Sequence, residues 1–413
     1  MLKHIVLENF RNHKKFCADL NNTSILIGLN ATGKTSVLEA ISLVSAGRSF
    51  RTDDKKSVVN LASDYARVTL WCHPHEDGDP LIVDSRLRHA ERGLRGNDRT
   101  ELEVFIQKNP RLLMQAKERG VKKKLSEFIG TLKSVVFSPE TIDIITGAPA
   151  ERRRFLDIMI SQSDKGYLRA LSEYTKVRRQ RNGLLEMIKH GRSQESDLLF
   201  WDKELAKQGI IITQKRIEAV EFLNMTLSKT YQEISGPIRH SRPDRESTDR
   251  SGKLLVDPRL RGDDKKDRTK DQSLVLIYHN SSGDDLAEKL RHNRAREIAY
   301  GATIYGPHRD ELEFGLNNTN MQEFASRGEL RSAILALKIG EIKFLGQEAN
   351  KTSSLEQKPA SPILLLDDIF SEFDAERRSH LNRLILQYQS VITTTDKEHL
   401  TEEIFKKAKI IEL

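Results

Sequence analysis

Two groups of residues in this chain have the types and spacing for nucleotide chemistry, and they lie near its opposite ends. Gly28-Leu29-Asn30-Ala31-Thr32-Gly33-Lys34-Thr35 has two glycines bracketing four residues, followed by Lys-Thr. This is the pattern of a loop whose backbone N–H groups wrap a β-phosphate at the start of a helix. In such a loop Lys34 reaches the β- and γ-phosphates of ATP and Thr35 ligates Mg²⁺; Gly28 to Ser36 line the triphosphate. A plain glycine turn is the alternative, but it does not account for a lysine set just inside a helix start. The second group, Ile363-Leu364-Leu365-Leu366-Asp367-Asp368, is an apolar strand ending in two carboxylates. Asp367 is placed for a direct or water-bridged Mg²⁺ contact, and Asp368 for orienting an attacking water. Two solvated carboxylates at a strand end are the alternative reading. A compact kinase or small GTPase would carry its acidic strand much nearer the loop, so a large insertion must split the core.

The elements that position these groups follow from periodicity. Ser24-Ile25-Leu26-Ile27 predicts a strand running into the loop, and Thr35 to Leu43 a helix burying Val37, Leu38 and Ile41 on one face. Further strands are expected at Ile5–Leu7, Val68–Cys72, Leu81–Val83, Val135–Phe137 and Ser273–Tyr278. From about Leu112 to the Val135 strand the texture is charged and helical. Long helices are predicted from Glu151 to about Met187 and from about Asp197 to Ser235, and a shorter helical stretch from Asp285 to Ala299. The first long stretch sets Tyr167, Leu171, Tyr174, Val177, Leu184 and Leu185 inward and Arg169, Lys176, Arg178, Arg179 and Arg181 outward. The second offers Trp201, Leu205, Ile212 and Phe222 as its inner face. The two make an antiparallel pair too short for a coiled-coil arm. Residues 240–272 are densely charged, cannot bury enough apolar surface to fold alone, and read as a disordered or loosely structured insert. A polar loop is expected at 346–362.

Composition narrows the classes. The 413 residues have room for two or three domains. A formal charge of +8 leans toward polyanionic partners. No run of about 18 apolar residues suggests a membrane span. The N-terminus is too short and polar for a signal peptide. Two cysteines, Cys17 and Cys72, point to a reducing, cytoplasmic setting, and no histidine or cysteine cluster has metal-site spacing.

Motifs spread along the chain carry a resemblance. Leu7-Glu8-Asn9-Phe10-Arg11-Asn12, Leu38-Glu39-Ala40-Ile41 and Gly47-Arg48-Ser49-Phe50-Arg51 come first. Phe137-Ser138-Pro139-Glu140, Glu151-Arg152-Arg153-Arg154-Phe155-Leu156-Asp157 and Arg181-Asn182-Gly183-Leu184-Leu185 follow, then Trp201-Asp202 and Gly306-Pro307-His308-Arg309-Asp310. In number and order they resemble the RecF family of recombination and gap-repair ATPases, within the ABC/SMC/Rad50-like group, over nearly the whole chain outside the charged insert. The resemblance implies an α/β fold: an ABC-type P-loop ATPase head, a mixed sheet with helices, at 1–140 plus 300–413. A helical second lobe, 141–299, would be inserted, without long coiled-coil arms. It implies that Arg11 and Asn12 lie near the nucleotide. Ser326-Arg327-Gly328-Glu329 would be a signature loop, with Ser326, Gly328 and Glu329 contacting a γ-phosphate bound by a second copy. A helix cap is the plain alternative there, because Ser326 is a good N-cap and Glu329 sits three residues on. Ser371-Glu372-Phe373-Asp374 resembles the loop between subunits, and Val391 to Asp396 a switch strand with Thr394 or Thr395 where other ABC proteins place a histidine.

The resemblance further implies an ATP-driven homodimer on DNA, duplex and gapped, cooperating with RecO and RecR to load RecA recombinase, with slow hydrolysis as the release step. An SMC- or Rad50-like clamp without recombinase loading is the alternative. Arg152, Arg153, Arg154, Arg178, Arg179 and Arg181 are the basic candidates for DNA phosphates; a solvated helix face with internal ion pairs is the competing reading. Some positions depart from the wider group or from the family pattern, though the resembled family shares the Asp-Asp pair. Asp368 replaces the glutamate of transporters, Arg327 and Leu330 differ from the common family signature, and no clear glutamine marks a lobe-linking loop, for which Phe137–Ile142 is the positional candidate. Ala31 sits where glycine is common, and its backbone is expected to avoid a strained φ.

Overall fold

The computed structural model describes residues 1–72, 100–235, 273–283, 285–352, 361–395 and 400–413. The strand expected at Leu81–Val83 and the charged insert lie outside the described residues. The chain begins with β1 (Leu2–Phe10), β2 (His13–Asp19) and β3 (Thr23–Ile27), then α1 (Lys34–Ala46), β4 (Tyr65–Cys72), β5 (Thr100–Gln107), β6 (Leu113–Glu118), β7 (Val121–Lys123), α2 (Leu125–Phe128) and β8 (Ser134–Phe137). The middle carries α3 (Asp143–Thr146), α4 (Pro149–Ser161), α5 (Lys165–Lys189), α6 (Leu198–Ser235), β9 (Leu274–His279), α7 (Leu286–His292), α8 (Arg294–Tyr300), β10 (Glu311–Leu316), β11 (Thr319–Asn320), α9 (Met321–Phe324) and α10 (Arg327–Thr352). It closes with β12 (Ile363–Asp367), α11 (Ala375–Gln387), β13 (Ser390–Thr394), α12 (Glu402–Lys407) and β14 (Lys409–Glu412).

Among the described residues the strands form three sheets. An antiparallel one runs β2-β1-β4-β5-β6-β7, a parallel one β14-β3-β13-β12-β8, and a small antiparallel one β11-β10-β9. In the parallel sheet, Ile363 and Leu365 of β12 face one apolar cluster while Leu364 and Leu366 face another. Both faces are covered, which is why β12 reads as a continuous apolar run and not as an alternation. Helix α1 lies between this sheet and the antiparallel one. All its residues except Thr35 are buried, not the single face that its spacing predicts; a helix covered on all sides has no polar stripe to give a period.

The stretch after Leu112 differs most from expectation. It forms the β6–β7 hairpin and only one short turn of α2, because its lysines and glutamates occupy the solvated face of an antiparallel sheet. Strand β5 was also not foreseen; Glu101 and Glu103 alternate with buried Leu102, Val104 and Ile106. The helical pair is present: α5 packs along the 38-residue α6, and no coiled-coil arm extends from them among the described residues. Helix α10 continues to Thr352, so the first part of the loop expected at 346–362 is helical. Strands β9 and β10, one on each side of residue 300, pair antiparallel, and α10 packs on α6 in the same apolar cluster. No helix among the described residues is long and apolar enough to cross a membrane.

Candidate nucleotide site

Strand order brings the distant motifs together. The glycine loop leaves β3, the two carboxylates end β12, and β13 lies between those strands. A cavity of about 740 Å³ opens there. Asn30, Ala31, Gly33, Lys34, Thr35 and Ser36 line one side, and Asp367, Asp368, Thr393 and Thr395 another. Arg11, Asn12, Arg51, Ser57, Val59, Asn60 and Leu61 complete it. Gly28, Leu29 and Thr32 are not among its lining residues; Thr32 Oγ1 donates to the Leu29 carbonyl at 3.0 Å.

The loop is held shut on itself. Lys34 Nζ donates to the carbonyls of Gly28 and Leu29 at 2.6 and 2.8 Å. Gly33 has φ +106, and a Cβ there would come within 2.3 Å of His13 Nε2 and 2.7 Å of the Asn12 amide. His13 Nε2 is 3.1 Å from the Gly33 carbonyl, and Asn12 accepts from Ser36 Oγ at 3.2 Å, so the β1–β2 turn braces the loop. Ala31 adopts φ +67, contrary to the expectation that it avoids the left-handed region. That conformation costs a non-glycine residue about 1–2 kcal/mol, and it turns successive N–H groups toward a common point, as an anion nest requires.

The carboxylate end is equally specific. Asp367 Oδ1 accepts from the hydroxyls of Thr35 and Thr393, both at 2.8 Å. Burial raises the Asp367 pKa above the ordinary carboxylate value, the two hydroxyl donors oppose the rise, and Glu140 adds to it. Glu140 follows β8, which pairs with β12, so the Phe137–Ile142 segment does lie beside the acidic pair. Asp368 is left-handed at φ +48, with its N–H on Thr393 Oγ1 at 3.1 Å. Of the two switch-strand candidates, Thr395 lines the cavity and Thr394 does not; Thr393 also lines it and bonds to both Asp367 and Asp368. Thr394 is buried and does not line the cavity, because neighbouring strand residues face opposite sides.

Sequence reasoning missed the support behind Arg11. Glu39, on α1 and fully buried, accepts from Arg11 Nε at 2.9 Å and Nη2 at 2.5 Å, also from Ser49, and lies 3.8 Å from Arg51. The acid five residues past Lys34 was a usable signal, since a carboxylate inside an otherwise apolar helix needs a cation. The residues present fit ATP and Mg²⁺: a lysine bound only by its own loop's carbonyls, a left-handed nest at a helix start, and a hydroxyl–carboxylate pair of hard oxygen donors.

Ser326, Gly328 and Glu329 are not among the cavity's lining residues. Ser326 Oγ donates to Glu329 Oε2 at 2.7 Å and accepts the Glu329 N–H at 3.3 Å, capping α10 on an exposed surface. The set of arginines proposed for DNA needs correction. Arg181 is fully buried, bonded to Asp202, Glu297 and Thr303 at 2.7, 2.6 and 2.9 Å. It follows Tyr174 and Val177 at helical spacing and belongs to the buried face. Arg152 is buried against Glu311 at 2.8 Å and the Ile145 and Gly147 carbonyls. Arg153 donates to the Asp310 carbonyl, and Arg154 to Asp53 and the Ser49 carbonyl. A buried arginine whose donors are taken cannot meet a phosphate, which removes Arg152 and Arg181; Arg153, Arg154 and Arg178 are half-buried and Arg179 is exposed.

With this geometry in place, likeness to known proteins becomes informative. Residues 1–412 match the model of the RecF/RecN/SMC N terminal domain. The chain is 32% identical over 417 aligned residues to a "DNA replication and repair protein RecF" of Bacillus cytotoxicus, covering 99% of this chain and 96% of the relative. A protein of the same name from Roseiflexus castenholzii is also 32% identical, covering 98% and 96%. Among solved structures, the recombination mediator protein RecF-ATP of the RecFOR pathway is similar, with a TM-score of 0.75 and 29% identity over 97% of this chain and 93% of that one. Its RecF-ATPrS counterpart gives 0.74 at 29% identity, covering 97% and 94%. The chain belongs to the RecF family, within the RecF/RecN/SMC N-terminal domain group.

Proposed function

We propose that this protein is an ATP-switched DNA-binding protein of recombinational repair and replication-fork maintenance, acting with RecO- and RecR-type mediators to load a RecA-type recombinase. One observation carries the reading. A complete phosphate- and cation-binding set faces one cavity, while the Ser326–Glu329 loop caps a helix on an exposed surface outside it. A signature loop that cannot serve its own chain's cavity suits one completed by a second copy. Similar proteins named for DNA repair and bound to ATP support the same assignment.

Lys34 would exchange the carbonyls of Gly28 and Leu29 for phosphate oxygens, so its charge is never left bare. Thr35 and Asp367 would hold Mg²⁺, which neutralises phosphate charge when bound. Asp368, fixed by Thr393, would orient the attacking water. Its carboxylate is one methylene shorter than a glutamate's, which suits slow hydrolysis used as a release timer. Ser326, Gly328 and Glu329 would close on the γ-phosphate of the other copy, a contact that ATP makes and ADP lacks. Arg179 and the mild positive charge leave DNA contact to shape and phosphates, since no base-reading motif is evident in the sequence.

Sedimentation with ATP and with ADP tests this. ATP is expected to convert the protein to a dimer and ADP to leave it monomeric. Ser326→Arg should abolish dimerisation while ATP affinity stays within twofold. A protein with Lys34 intact that remains monomeric in ATP defeats the switch reading. DNA affinity should fall steeply with salt, and salt-insensitive binding would defeat the phosphate-contact part.

A further inference from the structure

Between the acidic strand and the signature loop runs a short covalent and hydrogen-bonded path. It begins at Asp368, whose carbonyl accepts from Ser371 Oγ at 2.9 Å. The segment 369–372 turns as a 3-10 helix and ends at Asp374, whose carboxylate caps α11 by accepting the Arg377 N–H at 3.0 Å. The Arg377 side chain then folds back. One guanidinium nitrogen pairs with the Asp374 carboxylate. Nε donates to Ser332 Oγ at 2.9 Å, and Nη2 donates to the Gly328 carbonyl at 3.0 Å. Ser332 is fully buried on α10, and Gly328 is the glycine of the signature loop. A planar fork with donors on three sides reaches all three acceptors at once; an ammonium on a single stem does not.

We propose that Arg377 is a positioning residue that ties the signature loop to the acidic-strand loop of its own chain, and so places the loop presented to the other copy. This rests on the two-copy site described above. The arrangement is not there chiefly for stability. The Asp374 carboxylate is 56% exposed, and an ion pair three residues apart on such a surface contributes little. What the guanidinium fixes is place, since a loop held at one carbonyl and one helix hydroxyl moves with the segment that holds the other end. The parallel contact of Arg331 with Glu372 at 2.8 Å joins the same two segments, but its arginine is more open to solvent than Arg377.

Mixed dimers separate the two roles of each chain. A limiting parent chain combined with an excess of Lys34→Ala chain has one loaded site, in the parent, facing the signature loop of the Lys34→Ala chain. Arg377→Ala is introduced into one chain or the other, with folding of each confirmed by its thermal unfolding curve. When placed in the Lys34→Ala chain it should lower kcat for ATP hydrolysis at least tenfold with KM unchanged. In the loaded chain it should do so by less than threefold. Arg377→Lys, which keeps the charge, should give the same pattern with a smaller loss. An equal loss in either position, a loss confined to the loaded chain, or no loss overturns the assignment of Arg377 alone. If parent chains do not associate with ATP at all, the two-copy site itself falls and this inference with it.

Discussion

The glycine loop and the Ser326–Glu329 loop, proposed as the signature loop, both place a glycine at the start of a helix, yet they are built on opposite plans. Gly33 is locked: φ is +106, and a Cβ would collide with His13 and Asn12. Gly328 is open: its backbone is not in the left-handed region, and the nearest atom to a Cβ is Arg377 Nη2 at 3.6 Å. Helix α1 is enclosed by two sheets, and its loop finds partners for Lys34 within the chain. The start of α10 is exposed, and Ser326 and Glu329 satisfy each other. A glycine required by its own fold is therefore distinguishable from one that the fold would exchange freely. If the second is needed, the need comes from outside the chain.

The sharpest way to break that contrast is Gly33→Ala. The added methyl must displace the His13–Asn12 brace in a backbone region that alanine avoids. ATP affinity measured by calorimetry is expected to fall at least a hundredfold, about 3 kcal/mol. A tenfold effect or less would mean that the loop adapts and that its observed form is not required.

The glycine loop was legible in the sequence because it is a local pattern of glycine, lysine and threonine at fixed spacing, and β12 was legible as a short apolar run; at Ser326–Glu329 the residues alone read as a helix cap, which is what the bonds between Ser326 and Glu329 show. What was not legible depends on contacts distant in the chain. Arg181 and Arg152 look like an external basic face until Glu297 and Glu311, more than a hundred residues on, are folded against them. Thr393 and Thr394 are indistinguishable by type; only the register of β13 against β12 assigns the Asp367 bond to Thr393. The β6–β7 hairpin carries charges on a solvated sheet face, and such a face has no apolar period to contrast with a helix. Glu39 lies in an apolar helix without a visible cation because Arg11 arrives from the β1–β2 turn.

Gly328→Ala is the counterpart experiment, and its expected energetic effect is smaller. Alanine in place of glycine at a helical start with room for a methyl should raise stability by about 0.5–1 kcal/mol, read from urea denaturation. ATP affinity of the single chain should not change. ATP-driven association should weaken severalfold, because the methyl stands where a second copy's phosphate would approach. Unchanged association would place the signature surface elsewhere, and lowered stability would show that Gly328, like Gly33, serves its own fold.

The smallest expected effect concerns charge at the locked end. Burial holds the Asp367 pKa above the ordinary carboxylate value despite hydroxyl donors from Thr35 and Thr393. A carboxylate raised in this way favours the fold fully below its unfolded pKa, and that contribution is lost as pH rises through the folded value. At a pH above the folded value the charge of Asp367 is therefore a burden on the nucleotide-free chain. Asp367→Asn keeps an oxygen acceptor for both hydroxyls and removes the charge. The variant should melt slightly higher than the parent at pH 7, with the difference vanishing as pH falls below the carboxylate range. Added Mg²⁺ and ATP should reverse the ranking, because only the parent's charge is neutralised by the cation it would bind. A difference in Tm that is the same at every pH would assign the effect to packing, and the locked end would then be paying nothing for its charge.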